Sequence, residues 1–157
     1  MKAVIQRVRN ASVMVEGTVT GYIDSGLLVY LGVANDDTTK EADWMAEKAA
    51  NLRIFPDNQG KMNLSILDIV NSIKTGEIKI GILTVSQFTL LADARKGRRP
   101  YYGEAADPEK ANQLYEYFLT KVKEHGLISE AGIFQAHMDV HYINDGPVTI
   151  LLDTKEL

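Results

Sequence analysis

The chain has 157 residues, of which 45% are hydrophobic and 24% are charged, and its formal net charge is −4. These are ordinary values for a single globular domain and do not suggest disorder. Cysteine is absent, which excludes thiol nucleophiles, disulfides and iron–sulfur clusters, and the net negative charge argues against a general nucleic-acid coat. No apolar stretch is long enough to cross a bilayer, so we expect a cytoplasmic protein without a membrane partner.

The start of the chain predicts a pair of strands. Valines alternate with polar residues over residues 4–15, which predicts a strand with a bulge near residues 10–12. Glu16-Gly17 is a turn pattern, after which residues 18–23 are predicted to form the returning strand. Residues 24–26 (Asp-Ser-Gly) predict a second turn.

A buried strand and a helix are predicted next. Residues 27–33 are continuously apolar, which is typical of a strand buried on both faces. Aspartates and threonines at residues 36–39 supply N-cap candidates for a helix from Lys40 to about Leu52, whose apolar residues keep helical spacing. Short strands are predicted at residues 53–55 and 66–69, and a polar connection at residues 71–77.

The second half of the chain contains one more apolar strand and one more helix. Residues 79–91 are strongly apolar and predict a strand, and residues 92–103 predict a basic loop. Asp107-Pro108 places an N-cap acid before a proline at the first helical position. The helix is predicted to run to about His125 and to stop at Gly126.

The C-terminal region predicts a hairpin. Asp145-Gly146 lies between two strand-like runs at residues 138–143 and 148–153, which is a strong hairpin pattern. Pro147 removes a ladder donor where the outgoing strand should begin, and X-Pro is the bond type that can be cis. No linker or repeat divides the chain, so we predict one α+β domain over residues 1–157. Its sheets are predicted to be mostly antiparallel and barrel- or sandwich-like, with about two main helices.

Two kinds of hydrolytic site are open from residue type alone. A serine hydrolase would use Ser86 with one of the three histidines, but the Gly-x-Ser-x-Gly elbow is absent around that serine. His137, Asp139 and His141 share one face of a predicted strand, which makes them candidate ligands of a metal hydrolase. The same alternation is normal for the solvated face of a half-buried strand.

The basic loop is a candidate nucleic-acid contact. Four cations shortly precede Tyr101 and Tyr102, and the cations are Arg95, Lys96, Arg98 and Arg99. Cations and aromatic rings in so short a span suit phosphate contacts and base stacking. A solvated loop is the alternative interpretation, and a noncatalytic RNA-binding module is the alternative function.

Two stretches carry a family signature, Ser86-Gln87-Phe88-Thr89-Leu90 and Asn144-Asp145-Gly146-Pro147-Val148-Thr149. They occur in the expected order and at suitable separation. Further matching stretches are residues 3–8, 26–33, 52–55, 60–65 and 96–100. With these stretches the chain resembles the D-aminoacyl-tRNA deacylases along nearly its whole length.

The resemblance implies the deacylase fold and a homodimeric carboxylic ester hydrolase that acts in translation quality control without a cofactor or metal. The implied substrate is the 3′-terminal adenosine end of aminoacyl-tRNA carrying a D-amino acid, or glycine mischarged on tRNA-Ala, in an active site at the subunit interface. In that family the Gly-Pro bond is cis and enters the partner subunit's site. The residues implied to line the catalytic wall are Ser86, Gln87, Phe88 and Thr89. The residues implied to bind substrate and reject L-amino acids are Gly146, Pro147, Arg7, Asn144, Met138 and Phe134. The residues implied to contact tRNA are Lys96, Arg98 and Arg99.

The bond-breaking step has two candidate nucleophile arrangements. Backbone N–H groups around Phe88 and Thr89 are candidates for stabilising the oxyanion. Thr89 is a candidate nucleophile, although no neighbouring base is evident. The resemblance instead favours assistance by the RNA 2′-hydroxyl, with the protein positioning the substrate. Three features depart from the usual family pattern, namely Leu91, Gln135 and a longer segment at residues 71–80.

Overall fold

The computed structural model describes residues 1–73 and 78–156. Its strands are β1 (Lys2–Val15), β2 (Thr18–Gly32), β3 (Phe55–Pro56), β4 (Met62–Leu64), β5 (Ile80–Ser86), β6 (Ile128–Ala131) and β7 (Asp139–Asp153). Its helices are α1 (Thr39–Asn51), α2 (Ile66–Ser72) and α3 (Pro108–Glu124), with 3-10 turns at Phe88–Leu91 and Thr154–Glu156. None of these helices, within the described ranges, is long and apolar enough to cross a membrane.

Five strands form one open sheet in the order β6-β5-β2-β1-β7, and β3 and β4 form a separate ribbon. The long β1–β2 and β1–β7 ladders are antiparallel, whereas β2–β5 and β5–β6 are parallel. The α+β class is therefore confirmed, with α1 and α3 as the two main helices.

The central strands are covered on both faces. One face carries Leu27, Val29 and Leu31 beneath α1 and α3. The opposite face carries Leu28 and Leu83, packed against the far half of the β1–β2 hairpin. A Cβ atom on Gly21 of that hairpin would lie 2.6 Å from the carbonyl oxygen of Ala131 in β6. The end of the β1–β2 hairpin thus folds over the sheet and gives it a sandwich-like cross-section. The prediction that residues 27–33 form a strand buried on both faces is confirmed.

Local capping explains why the two main helices were predictable. The Thr38 hydroxyl caps α1 and Glu41 completes a capping box, while Asp107 caps α3 before Pro108. Gly126 has a φ of 79° directly after the α3 C-cap residue His125. That left-handed conformation favours glycine and ends the helix where the sequence predicted.

Two local predictions in the first half are wrong. β2 continues without a turn through residues 24–26, because Gly26 serves close strand packing: a Cβ atom there would overlap the Gly81 carbonyl oxygen. Residues 66–69 belong to helix α2 because Ser65 and Asp68 form a capping box that starts a helix. Of the predicted connection at residues 71–77, residues 74–77 lie outside the described residues.

The predicted C-terminal hairpin is also wrong. β7 is one strand that pairs with β1 on both sides of the Gly146-Pro147 pair. Gln6 pairs with Thr149 and Val8 pairs with Asn144, so four residues of β7 lie opposite Arg7 alone. The Asp-Gly-Pro sequence therefore forms a wide bulge in an edge strand and does not reverse the chain. The predicted bulge of β1 near residues 10–12 is confirmed by a second register shift.

Candidate active site

A cleft of about 710 Å³ opens at the carboxyl end of β5. Ser86, Gln87 and Phe88 form one wall, and Phe134 and Met138 belong to the segment that forms another. The first residues of α3 and the end of β2 complete it. The structure thus brings together two sequence stretches that lie almost fifty positions apart, and most of the lining is apolar.

The wall that follows β5 is a 3-10 turn and not the continued strand that residues 79–91 predicted. The backbone N–H of Gln87 donates to the Leu31 carbonyl at 2.8 Å, and the chain then turns through Phe88–Leu91. Within the described residues, the Phe88 and Thr89 amides have no backbone acceptor, and no side chain caps the turn. Among the described residues these two N–H groups are therefore candidate donors to an oxyanion, and Phe88 lines the cleft.

Thr89 lies in this turn without a base beside it. Its exposed hydroxyl accepts a hydrogen bond from the Gln87 side-chain amide, which cannot remove a proton. In the described part of the chain, neither Thr89 nor Ser86 hydrogen bonds to a histidine, although His137 borders the cleft. The geometry gives no support to a serine–histidine or threonine–histidine pair.

Phe134 and Met138 are partly buried and fixed by packing. The Phe134 ring lies 6.0 Å from the ring of Tyr115, whose hydroxyl donates to the Thr84 carbonyl at 2.9 Å. Burial raises the pKa of Tyr115 above its ordinary value, so the hydroxyl stays a donor. Tyr115 was not predicted as a site residue, because its helical spacing in α3 is that of a core residue and carries no sign that it also supports this cleft. Gln135 has a φ of 63°, a conformation that glycine adopts more easily.

The predicted selector residues lie elsewhere. Gly146 and Pro147 are exposed in the β7 bulge, are joined by a cis peptide bond and do not line the cleft of their own subunit. The Asn144 side chain closes the bulge: its oxygen accepts from the Val148 amide at 3.2 Å and its nitrogen donates to the Thr149 hydroxyl at 3.0 Å. Within one chain the residues predicted to be the selector and those predicted to form the catalytic wall are therefore separate.

Arg7 ties the bulge to the body of the protein. One guanidinium nitrogen (Nη1) donates to the Ile54 carbonyl at 2.5 Å, and Nε lies 3.1 Å from Oδ2 of Asp145. The Nε–H does not point at that carboxylate, so the contact is an ion pair without a hydrogen bond. Arg9 lies 3.3 Å from the other oxygen of Asp145. Asp145 was missed as a site residue because only the strand register reveals its two arginine neighbours.

The basic loop contacts one residue that lines the cleft, because Tyr102 packs against Phe88. Arg95 pairs with Asp93 at 2.7 Å, and this contact holds the pKa of the Asp93 carboxyl well below its usual range. Lys96, Arg98 and Arg99 are exposed, and no ion pair involves them within the described residues. The loop therefore presents three cations to solvent.

The candidate metal site is not assembled. His137 is almost fully exposed, and its Nε2 lies 3.8 Å from Oδ1 of Asp139. Within residues 1–73 and 78–156, no group of three or more His, Asp or Glu side chains is close enough to hold an ion. These residues form the solvated face of β7, while Met138 and Val140 pack inward.

The comparison with known families decides the identity. The family model described as D-Tyr-tRNA(Tyr) deacylase matches residues 4–153. The chain belongs to the D-aminoacyl-tRNA deacylase family. Within it, the D-aminoacyl-tRNA deacylase of Koribacter versatilis (strain Ellin345) is 53% identical over 99% of both chains. The enzyme of the same name from Geotalea uraniireducens (strain Rf4) is 56% identical over 98% of this chain and 94% of its own.

A solved structure supports the same fold. The protein described as c-Myc DNA Unwinding Element Binding Protein superposes with a TM-score of 0.86 at 41% identity, covering 98% of this chain and 99% of that chain. The fold and the family predicted from the two signature stretches are thereby confirmed.

Proposed function

We propose that the chain hydrolyses the ester bond of D-aminoacyl-tRNA and releases the free D-amino acid and tRNA. The observation that carries this proposal is the family match over residues 4–153, combined with the cleft that the first signature lines. As a member of this family, the chain is a carboxylic ester hydrolase with an aminoacyl-tRNA substrate. We place it in the cytoplasm, where aminoacyl-tRNA is used for translation.

The terminal adenosine and its ester occupy the cleft in this proposal. Phe134 and Met138 supply an apolar wall for the base, and Ser86 and Gln87 lie along the ester. The free amides of Phe88 and Thr89 stabilise the oxyanion, where preorganised donors are most effective. The Thr89 hydroxyl contacts the Gln87 side-chain amide and no base. The attack is therefore assisted by the 2′-hydroxyl of the terminal ribose, which lies next to the ester.

Rejection of L-amino acids is assigned to Gly146 and Pro147 of a second subunit. Recognition by one methylene gives only about 10–200-fold discrimination, whereas a steric clash against a fixed wall can give more. Glycine allows the wall to approach the substrate without an intervening side chain. The proposal is supported by the exposure of both residues, by their absence from the cleft lining of the same chain, and by the contacts of Arg7 and Asn144 that brace the bulge.

A homodimer completes the site in this account. β7 is the last strand of its sheet and pairs only with β1, so its outer backbone edge lacks a partner among the described residues. Leu151 on this strand is 75% exposed, the highest value for a large apolar residue in the described chain. Uncovered apolar residues on an edge strand are typical of a surface that another copy covers.

The tRNA body is proposed to contact Lys96, Arg98 and Arg99, whose charges oppose the general acidity of the chain. A wall made of backbone rejects only an L side chain. Glycyl-tRNA, including glycine mischarged on tRNA-Ala, is therefore also a substrate, and several D-amino acids are accepted.

The direct test is release of labelled D-tyrosine from D-tyrosyl-tRNA by the purified chain, followed by acid precipitation of the remaining ester. We expect catalytic turnover that a metal chelator does not reduce. Binding of the tRNA with an intact ester would instead support a noncatalytic RNA-binding module. Loss of turnover with chelator, restored by added metal, would favour the metal hydrolase.

A further inference from the structure

Two exposed aromatic side chains, Phe88 and Tyr102, contact each other at the cleft, and the exposed Tyr101 precedes Tyr102 in the chain. Phe88, Tyr101 and Tyr102 are 58%, 69% and 37% exposed, and we call them the aromatic shelf. Phe88 and Tyr102 are in edge-to-face contact with ring centroids 5.1 Å apart. A cluster of exposed rings is unfavourable in water and is typical of a binding surface.

The two tyrosines of the shelf belong to the basic loop, which is held in place. Asp93 and Tyr101 exchange two backbone hydrogen bonds of 2.8 and 2.9 Å, which close the basic loop at its base. The hydroxyl end of the Tyr101 side chain packs closely on Gly103, since a Cβ atom on that glycine would overlap it. The rest of this side chain is left largely open to solvent.

The charges around the shelf favour a polyanion. Lys96, Arg98 and Arg99 lie in the loop that the Asp93–Tyr101 pairing closes, and Asp93 is already paired with Arg95. Exposed rings combined with exposed cations are the usual means of binding single-stranded nucleic acid, because bases stack while cations follow the phosphates. Neither the exposed rings alone nor the exposed cations alone would distinguish RNA from another anion.

We propose that the aromatic shelf stacks the unpaired nucleotides that precede the terminal adenosine of tRNA. This inference rests on the proposed function, which places that adenosine in the cleft. Phe88 lines the cleft and also contacts Tyr102, so the shelf begins at the cleft mouth. An RNA strand that leaves the cleft over Phe88 and Tyr102 reaches the three cations of the loop.

The test compares a long and a short substrate. D-Tyrosyl-tRNA extends over the shelf, whereas 3′-O-D-tyrosyl-adenosine ends inside the cleft. For Tyr101→Ala we expect kcat/KM to fall about tenfold on the tRNA, mainly through KM, with no change on the adenosine ester. Tyr101→Phe keeps the ring and should behave as wild type on both. Tyr22→Ala is the matched control, because the ring of this exposed tyrosine contacts Lys79 instead.

Three outcomes would overturn the shelf. Equal losses on both substrates would assign Tyr101 a structural role, unchanged rates on both would show that RNA does not use it, and loss of activity in Tyr101→Phe would exclude stacking. A binding measurement separates this inference from the proposed function. Wild type should bind intact, uncharged tRNA about tenfold more tightly than Tyr101→Ala does, and the difference should vanish with tRNA lacking its unpaired 3′ nucleotides. A difference that persists with truncated tRNA would contradict the shelf even if the chain cleaved no ester.

Discussion

Arg7 of β1 lies opposite the four-residue bulge of β7, with its Nε atom 3.1 Å from Oδ2 of Asp145. The flanking pairs Gln6–Thr149 and Val8–Asn144 keep the regular ladder. One residue of β1 therefore controls the position of the segment that contains Gly146 and Pro147. Bulges of this kind re-aim a short part of a strand while the rest of the ladder stays intact.

Arg7→Ala should loosen the bulge. The Arg7 side chain is 12% exposed, and its removal leaves Ile54 without a donor and Asp145 with only Arg9. We expect the free energy of unfolding to fall by about 1–2 kcal/mol. This loss is small for a contact between charged groups, because Asp145 is one-third exposed and solvent screens the interaction. Discrimination between D- and L-tyrosyl-tRNA should fall about tenfold as the wall becomes free to yield.

Arg9→Ala is the control for that variant. Arg9 contacts the same carboxylate, but its side chain is 62% exposed, so its loss should leave stability and D/L discrimination close to wild type. Denaturant unfolding and ester-release rates of both variants provide the measurement. Equal behaviour of the two variants would contradict a special role for Arg7.

The nucleophile can be assigned by changing protein and RNA separately. Thr89→Ala should retain a rate within about threefold of wild type, because its hydroxyl contacts only an amide and the oxyanion donors are backbone groups. A substrate with a 2′-deoxy terminal adenosine should lose at least about 100-fold in single-turnover rate. The reverse pattern would identify Thr89 as the nucleophile.

Dimer formation should depend on the free edge of β7. Leu151→Glu places a charge on the exposed edge strand and should weaken self-association at least about tenfold, with a parallel loss of ester hydrolysis. Met62→Glu on β4 is the matched control, since Met62 is also an exposed apolar residue. Sedimentation velocity and activity at equal concentration give the result. A fully active Leu151→Glu monomer would refute the shared site.

The pH dependence of stability at alkaline pH should reflect the ionisation of Tyr30. Burial, followed by the neighbouring Tyr142, raises the pKa of Tyr30 to about 12. A raised pKa means that the neutral form of Tyr30 is favoured in the folded protein. The contribution of Tyr30 to the free energy of unfolding is therefore complete below pH 10 and is lost as the pH rises toward 12. Tyr30→Phe should therefore show a shallower decline in the free energy of unfolding between pH 10 and 12. Identical slopes for the two proteins would contradict this assignment.

The parts of the fold that local chemistry determines were predictable from the sequence. The helices α1 and α3 were found because Thr38, Asp107 and Pro108 are local start signals. The strand at residues 66–69 was predicted wrongly because β-branched residues outweighed the Ser65–Asp68 capping box. The C-terminal hairpin was predicted wrongly because a turn-like sequence does not reveal that β1 pairs with both sides of it.

The candidate site followed a similar division. Ser86 and Phe134 were both named from sequence, but their common cleft depends on a fold that neither stretch determines alone. The resemblance to the deacylase family supplied the link between the two stretches. Asp145 and Tyr115 were not predicted as site residues, because their roles depend on strand register and helix packing. Non-local contacts of this kind leave no periodic pattern in the sequence.

The proposed backbone wall of Gly146 and Pro147 should let the chain cleave the D-ester and spare the L-ester. Values of kcat/KM for D-tyrosyl-, glycyl- and L-tyrosyl-tRNA with the same enzyme preparation test this selection. We expect the D- and glycyl-esters to be hydrolysed, and the D-ester to exceed the L-ester by more than the roughly 200-fold available from a single methylene contact. Comparable hydrolysis of the D- and L-esters, or complete resistance of glycyl-tRNA at high enzyme concentration, would contradict a backbone wall that excludes the L side chain.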